Sequence, residues 1–153
     1  MEKFEVNILG CGSALPTTRH FSSSQVVNIR EKLFMVDCGE GAQLQLRRSK
    51  LKFGRLNHIF ISHLHGDHCF GLMGLISTFG LLGRTATLHI YAHAELEKLY
   101  KDIVEDLNQD EINVNEYYLF FQNGKQIFPQ YIEILGNIEN SEINDVVMKL
   151  AKK

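Results

Sequence analysis

Apolar and polar positions along the chain alternate with two periods, and these periods mark out the elements. Phe4, Val6 and Ile8 alternate with Glu5 and Asn7 and predict a strand with one face in the core. Gln25–Arg30 and Leu33–Val36 predict two further strands around a Glu31-Lys32 turn, and residues 42–48 predict a helix with a basic end. Ile59, Phe60 and Ile61 follow one another inside Asn57–Ser62, which suits a strand buried on both faces. Leu72, Leu75, Ile76 and Phe79 keep helical spacing, Thr87–Tyr91 reads as a short strand, and Leu96, Leu99, Tyr100, Ile103, Val104 and Leu107 form a helical stripe. Glu97 stands four residues before Lys101 on that helix's polar side, a supporting pair. Strands alternating with helices predict a layered α/β sheet.

The last third reads differently. Tyr117–Phe121 and Gln126–Leu135 flank Asn123-Gly124, a favoured two-residue hairpin turn, and Pro129 places part of the second arm at an edge. Ser141 would cap a closing helix whose Ile143, Val146, Val147 and Leu150 share a face. Charge changes at the same place. Residues 1–100 hold 11 Lys/Arg against 8 Asp/Glu, whereas residues 101–153 hold 5 against 10. All seven histidines lie at or before His93, and ten of the twelve glycines lie at or before Gly83. The chemistry is therefore expected in residues 1–100, with an acidic βα tail over 101–153 and a boundary near residues 101–110.

Composition narrows the class. With 44% hydrophobic residues in 153, the chain can build a core, and a formal charge of −2 gives no global pull toward nucleic acid, DNA included, or anionic membrane. Phe70–Gly83 is too short and too rich in glycine to span a bilayer, and Met1–Val6 carries no apolar signal region, so a cytoplasmic setting is expected. Three cysteines, Cys11, Cys38 and Cys69, make no disulfide framework, and Cys38 and Cys69 read as small buried residues.

One run carries chemistry. Ser62-His63-Leu64-His65-Gly66-Asp67-His68 gathers three imidazoles and a carboxylate directly after the buried strand, a donor mix that suits zinc and similar dications. On extended chain His63 and His65 point the same way, and Gly66 lets Asp67 and His68 turn toward a second position. Two ions about 4 Å apart would clamp a phosphodiester and acidify a bridging water. Lone histidines are more often structural, and His58, His89 and His93 are read so. Gly10-Cys11-Gly12 lacks the third glycine of a dinucleotide loop, since Leu15 stands there, and predicts instead a tight turn that brings Pro16–Arg19 to the rim of the site. Arg47, Arg48, Lys50, Lys52 and Arg55 read equally as a grip for RNA phosphates or as a solvated helix terminus.

Around this motif the chain resembles the ribonuclease Z family, within the metallo-β-lactamase superfamily. The matching segments are Leu9–Pro16, Val36–Gly41, His58–His68, Gly71–Leu75 and Leu81–Arg84, together covering about residues 4–100. The resemblance implies one half of a four-layered αββα sandwich, zinc (one or two ions, with manganese as a substitute), and removal of the 3′ trailer from precursor tRNA by attack of metal-activated water. It also implies His63 and His65 on one ion and Asp67 and His68 on the other. Asp67 would accept the proton of the attacking water, Asp37 would stand behind the ligands as a partner, and Arg19 would touch substrate. Family members are longer, and their second half supplies further ligands, whereas this chain has no histidine after His93. Half a sandwich exposes an apolar sheet face, so self-association, a homodimer first, is expected. The competing expectation is a catalytically incomplete half-domain acting as a dimerising or binding module. A third reading, a thioester or lactam hydrolase of the same superfamily, fits the Val36–Gly41 and Gly71–Arg84 segments less well.

Overall fold

A computed structural model describes residues 4–100 together with the backbone of 121–122, 125–126 and 132–135. Its centre is a six-stranded mixed sheet in the order β1-β2-β3-β4-β5-β8. The strands are β1 (Phe4–Gly10), β2 (Ser24–Ile29), β3 (Lys32–Val36), β4 (Leu56–Phe60), β5 (Leu88–Tyr91) and β8 (Ile132–Leu135), and β6 (Phe121–Gln122) pairs with β7 (Lys125–Gln126) apart from them. β1, β2 and β3 run antiparallel, and β3, β4, β5 and β8 run parallel. The helices are α1 (Ala42–Arg48), α2 (Gly66–Cys69), α3 (Gly71–Leu81) and a helix described over residues 94–100. The α/β class expected from the sequence is the class observed.

Strand periodicity sorts the side chains onto two faces. On one face Val26, Leu33, Met35, Ile59, Leu88 and Ile90 pack against Leu46 of α1 and against Leu72, Leu75, Ile76 and Phe79 of α3. These residues are essentially sealed from water and form the core. Helix α1 ends in a doubly bonded C-terminal motif: Leu51 N donates to Leu46 O (3.1 Å) and Lys50 N to Arg47 O (3.0 Å). Lys50 takes the left-handed position there, φ 55°, where glycine is usual. Arg84, just after α3, ties the starts of two strands through Leu56 O (3.0 Å), Asn57 Oδ1 (2.7 Å) and Thr87 O (2.8 Å).

The other face carries a row in register across the whole sheet, Val6, Val27, Phe34, His58, His89 and Glu133. Phe34 stacks on His58 (5.5 Å between ring centres) and His58 on His89 (4.9 Å), while Phe60 stacks on Tyr91 (4.5 Å). The structural reading of His58 and His89 therefore agrees with their positions.

Three local expectations are corrected. Phe4, Val6 and Ile8 do not enter the core; they stay 64%, 53% and 60% exposed, because α1 and α3 cover the opposite face, and of β1 Leu9 and Gly10 are buried. The β2–β3 turn is Arg30-Glu31, one residue earlier than expected, with both residues at positive φ (52° and 67°) in place of the glycine or asparagine such turns favour. The hairpin around residues 123–124 is present, since Phe121 pairs with Gln126 and Gln122 with Lys125. Ile132–Leu135, expected in its second arm, instead pairs parallel with β5. The expected continuation of the stripe to Leu107, Tyr117–Phe120, Pro129 and the closing helix lie outside the described residues.

His58 gives the fold a pH signature. Burial, then the neighbouring charges of His89, Lys32 and Arg84, lower its pKa from 6.5 to about 4. The unfolded chain takes up this proton first, so the contribution of neutral His58 is complete above about pH 6.5 and is lost as pH falls toward about 4. Melting temperature followed between about pH 7 and about pH 4 should fall less steeply in His58→Phe, which keeps the stack, than in the parent chain. Parallel curves would contradict this.

Candidate metal centre

The four residues of the motif follow the C-terminal end of β4, beside the end of its parallel neighbour β3. Beyond β4, Ile61 N still bonds Tyr91 O (2.8 Å), which extends the strand to the residue before Ser62. Extended backbone then carries His63 and His65 into solvent, and α2 starts at Gly66 with Asp67 in its first turn. His68 N donates to His65 O (2.9 Å), closing the turn that folds His68 back over the strand end. The imidazole of His63 lies 3.9 Å from that of His68 and 4.7 Å from that of His65, ring centre to ring centre. The expected spacing thus brings all three rings together.

Asp37 fixes this corner from beneath. It follows β3 at φ 57°, and its amide donates to Phe60 O (2.8 Å), so the chain turns out of the sheet there. Asp37 is buried (5% exposed), and its side chain does two jobs. Oδ1 accepts from the amide of Ser62 (2.8 Å), and Oδ2 stands 2.7 Å from His68 Nδ1. Ser23 Oγ adds a longer contact to Oδ2 (3.4 Å). The carboxylate therefore joins both strand ends and leaves His68 Nε2 facing outward, 3.5 Å from Asp67 Oδ2.

Backbone approach locks the same corner. Cys38 N donates to His68 O (2.7 Å), and Gly71 N donates to Cys38 O (2.9 Å). A Cβ on Gly71 would stand 1.9 Å from Gly39 O, and one on Gly39 would stand 2.4 Å from Asp67 O, so both positions require glycine. Cys38 and Cys69 are buried, as expected, and burial is the main cause that raises the Cys38 thiol far above its usual range and the Cys69 thiol to about 11. Both stay protonated near neutral pH.

The donors are imidazole nitrogens and carboxylate oxygens, and their chemistry fits a zinc-like dication. Among the described residues, no three His, Cys, Asp or Glu side chains close on one point as a ready cluster. The corner thus gathers donors of the right chemistry without a closed set among the described residues. Arg19 lies elsewhere, exposed on the loop between Gly12 and Phe21, with no polar contact among the described residues. The base of that loop does reach the corner: Gly12 N bonds Phe21 O (2.7 Å), and Ser22 packs against Gly39.

The sequence reading missed Ser62 and Ser23. Ser62 Oγ lies 3.0 Å from His63 Nδ1 and 3.4 Å from His68 Nδ1, so one hydroxyl serves two rings. Its place directly before the first histidine was the available signal, as was the run Ser22-Ser23-Ser24 opening β2.

A family model described as Anti-Pycsar protein Apyc1 matches residues 4–126. A protein named Ribonuclease Z from Phocaeicola vulgatus is 88% identical over 99 residues, which is 65% of this chain and 32% of that protein. Ribonuclease Z of Bacteroides thetaiotaomicron is 79% identical over 104 residues, 68% of this chain and 33% of that protein. The chain thus spans about a third of the length of these curated relatives. Among solved structures, human tRNase Z, short form, superposes with a TM-score of 0.60 at 40% identity, covering 69% of this chain and 39% of that one. The metallo-β-lactamase fold is shared, and the resemblance to ribonuclease Z holds over this part of it.

Asp37→Ala would leave the Ser62 amide and His68 Nδ1 without their acceptor in a mostly enclosed setting, at a cost of about 2–4 kcal/mol. Asp37→Asn keeps an oxygen for the Ser62 amide and should lose less than half of that. Urea unfolding of both variants tests the order; equal losses would contradict the two-sided role of the carboxylate.

Proposed function

The chain belongs to the family described as Anti-Pycsar protein Apyc1, and we propose that its histidine corner serves a metal-dependent phosphodiester hydrolase of the ribonuclease Z type. The substrate of this reading is precursor tRNA, cut at its 3′ trailer, in a cytoplasmic setting. The observation that supports it most is the joining of His63, His65, Asp67 and His68 at one strand end, over a carboxylate that orients His68. The relative named Ribonuclease Z at 88% identity and the likeness to human tRNase Z, short form, support a tRNA substrate in this reading.

Each residue has a role in this reading. His63 and His65 would hold one zinc ion and Asp67 and His68 a second, with manganese as a substitute. A bound dication supplies positive charge that acidifies water and offsets the charge on the phosphate oxygens. The Asp67 carboxylate accepts the proton of the attacking water. Asp37 acts through His68: by occupying Nδ1 it leaves Nε2 for the ion, a kind of support whose loss costs about 10–100-fold in metal affinity. Arg19, on the exposed loop whose base reaches the corner, would meet the phosphate backbone of the substrate.

One observation favours the second reading, a binding module without catalysis: no three donors converge among the described residues. That reading also uses the exposed stripe Phe4, Val6 and Ile8 on edge strand β1, on which two copies would pair as a homodimer.

The test is incubation of the chain with precursor tRNA and zinc or manganese, beside the full-length Phocaeicola vulgatus protein. The expected result is a metal-dependent cut at the 3′ trailer that slows by about 10²-fold or more in Asp67→Asn. A chain that leaves the substrate intact while the control cuts it would remove the activity and leave the binding module.

A further inference from the structure

Ser62 joins the sheet to the histidines. The backbone is held at two successive residues there: Ile61 N donates to Tyr91 O (2.8 Å) and Ser62 N to Asp37 Oδ1 (2.8 Å). The Ser62 hydroxyl is therefore presented from fixed backbone, 3.0 Å from His63 Nδ1 and 3.4 Å from His68 Nδ1. Those two rings lie 3.9 Å apart, centre to centre, tilted by 48°. A single oxygen thus meets the same ring nitrogen, Nδ1, of two histidines.

Donor and acceptor capacity sets the direction of these bonds. A carboxylate only accepts, so His68 Nδ1, at 2.7 Å from Asp37 Oδ2, carries a hydrogen. Toward that N–H, Ser62 Oγ offers a lone pair and not its own hydrogen. A hydroxyl oxygen has a second lone pair, and His63 Nδ1 stands within its reach.

The buried charge selects the same sense at His63. The Asp37 carboxylate meets His68 directly and reaches His63 across Ser62. In an enclosed setting, where charge is poorly screened, an N–H turned toward an anion is favoured over a lone pair turned toward it. The hydroxyl hydrogen is left for the solvent side, since Ser62 is half-buried rather than sealed. Which ring nitrogen of a histidine stays open is set by the hydrogen bond that the other one makes.

We propose that Ser62 is a positioning residue of the corner: its hydroxyl accepts the Nδ1 hydrogen of His63 and so presents His63 Nε2 to a dication. Asp37 does the same for His68, so one carboxylate and one hydroxyl turn two rings outward in a single network. This role rests on the hydrolytic reading for the presence of an ion, whereas the tautomer it requires belongs to the metal-free chain. A threonine at this position keeps the acceptor, and an alanine removes it.

Ser62→Ala and Ser62→Thr, set beside the parent chain, test this role. Long-range 1H–15N correlation spectra in a metal chelator, recorded above the usual histidine range, should show neutral His63 protonated on Nδ1 in the parent and in Ser62→Thr. In Ser62→Ala, His63 should pass to the Nε2-protonated form that free imidazole favours, while His68 keeps its Nδ1 hydrogen through Asp37. Zinc affinity, read by competition with a chromophoric chelator, should fall by about tenfold or more in Ser62→Ala and by less than about threefold in Ser62→Thr. His63 protonated on Nε2 in the parent, or an unchanged His63 tautomer in Ser62→Ala, would overturn the proposal. No zinc binding by the parent, or equal affinity in all three chains, would overturn it too. Should Ser62→Ala fail to fold, the parent and Ser62→Thr spectra still decide the tautomer. None of these readouts needs cleavage, so a chain that shows the expected tautomers and leaves precursor tRNA intact would remove the hydrolytic reading alone.

Discussion

One buried carboxylate holds the functional end of this sheet together. Asp37 leaves β3 in a left-handed turn and accepts from the Ser62 amide beyond β4 with one oxygen, while the other meets His68 Nδ1. Without it, the hydrogen bonds joining the segments after these two parallel strands, among the described residues, would be the backbone bonds of Cys38 with His68 and Gly71. With it, the direction of the His68 ring is set by the sheet rather than by the loop. A carboxylate so enclosed is stable only when its lone pairs are occupied, and here at least two protein groups occupy them.

The rest of the fold serves that arrangement. Helices α1 and α3 cover one sheet face with a sealed apolar core, which keeps β3 and β4 in register. Glycines at 39 and 71 let α3 begin against the turn that carries Asp37, closer than any side chain would allow. The opposite face is finished by aromatic and imidazole stacking, Phe34 on His58 on His89, while β1 leaves Phe4, Val6 and Ile8 uncovered.

Much of this was legible in the residues because it is local. Consecutive Ile59, Phe60 and Ile61 require a strand with two covered faces, and clustered imidazoles after such a strand have few structural explanations, so fold class and histidine corner both read directly. What escaped reading was set by tertiary neighbours. Period two in β1 is the same whichever face the helices cover, so its apolar stripe was assigned to the core and lies outside it. Positive φ at Arg30, Glu31 and Lys50 has no composition signal, because none of them is glycine. Ser62 and Ser23 look like ordinary polar residues until the turn at Asp37 brings them under the rings. The pairing of Ile132–Leu135 with β5 depends on a long-range register that local pattern does not encode.

The account turns on which nitrogen of His68 carries the proton when the ring is neutral. Asp37 at 2.7 Å competes for that proton with Asp67 at 3.5 Å, and the shorter, more enclosed contact should prevail. Long-range 1H–15N correlation spectra of the metal-free chain, recorded above the usual histidine range, report the tautomer directly. The expected result is a proton on Nδ1, with Nε2 unprotonated and open to a ligand. A neutral His68 protonated on Nε2 would contradict the account, since its free nitrogen would then face the sheet.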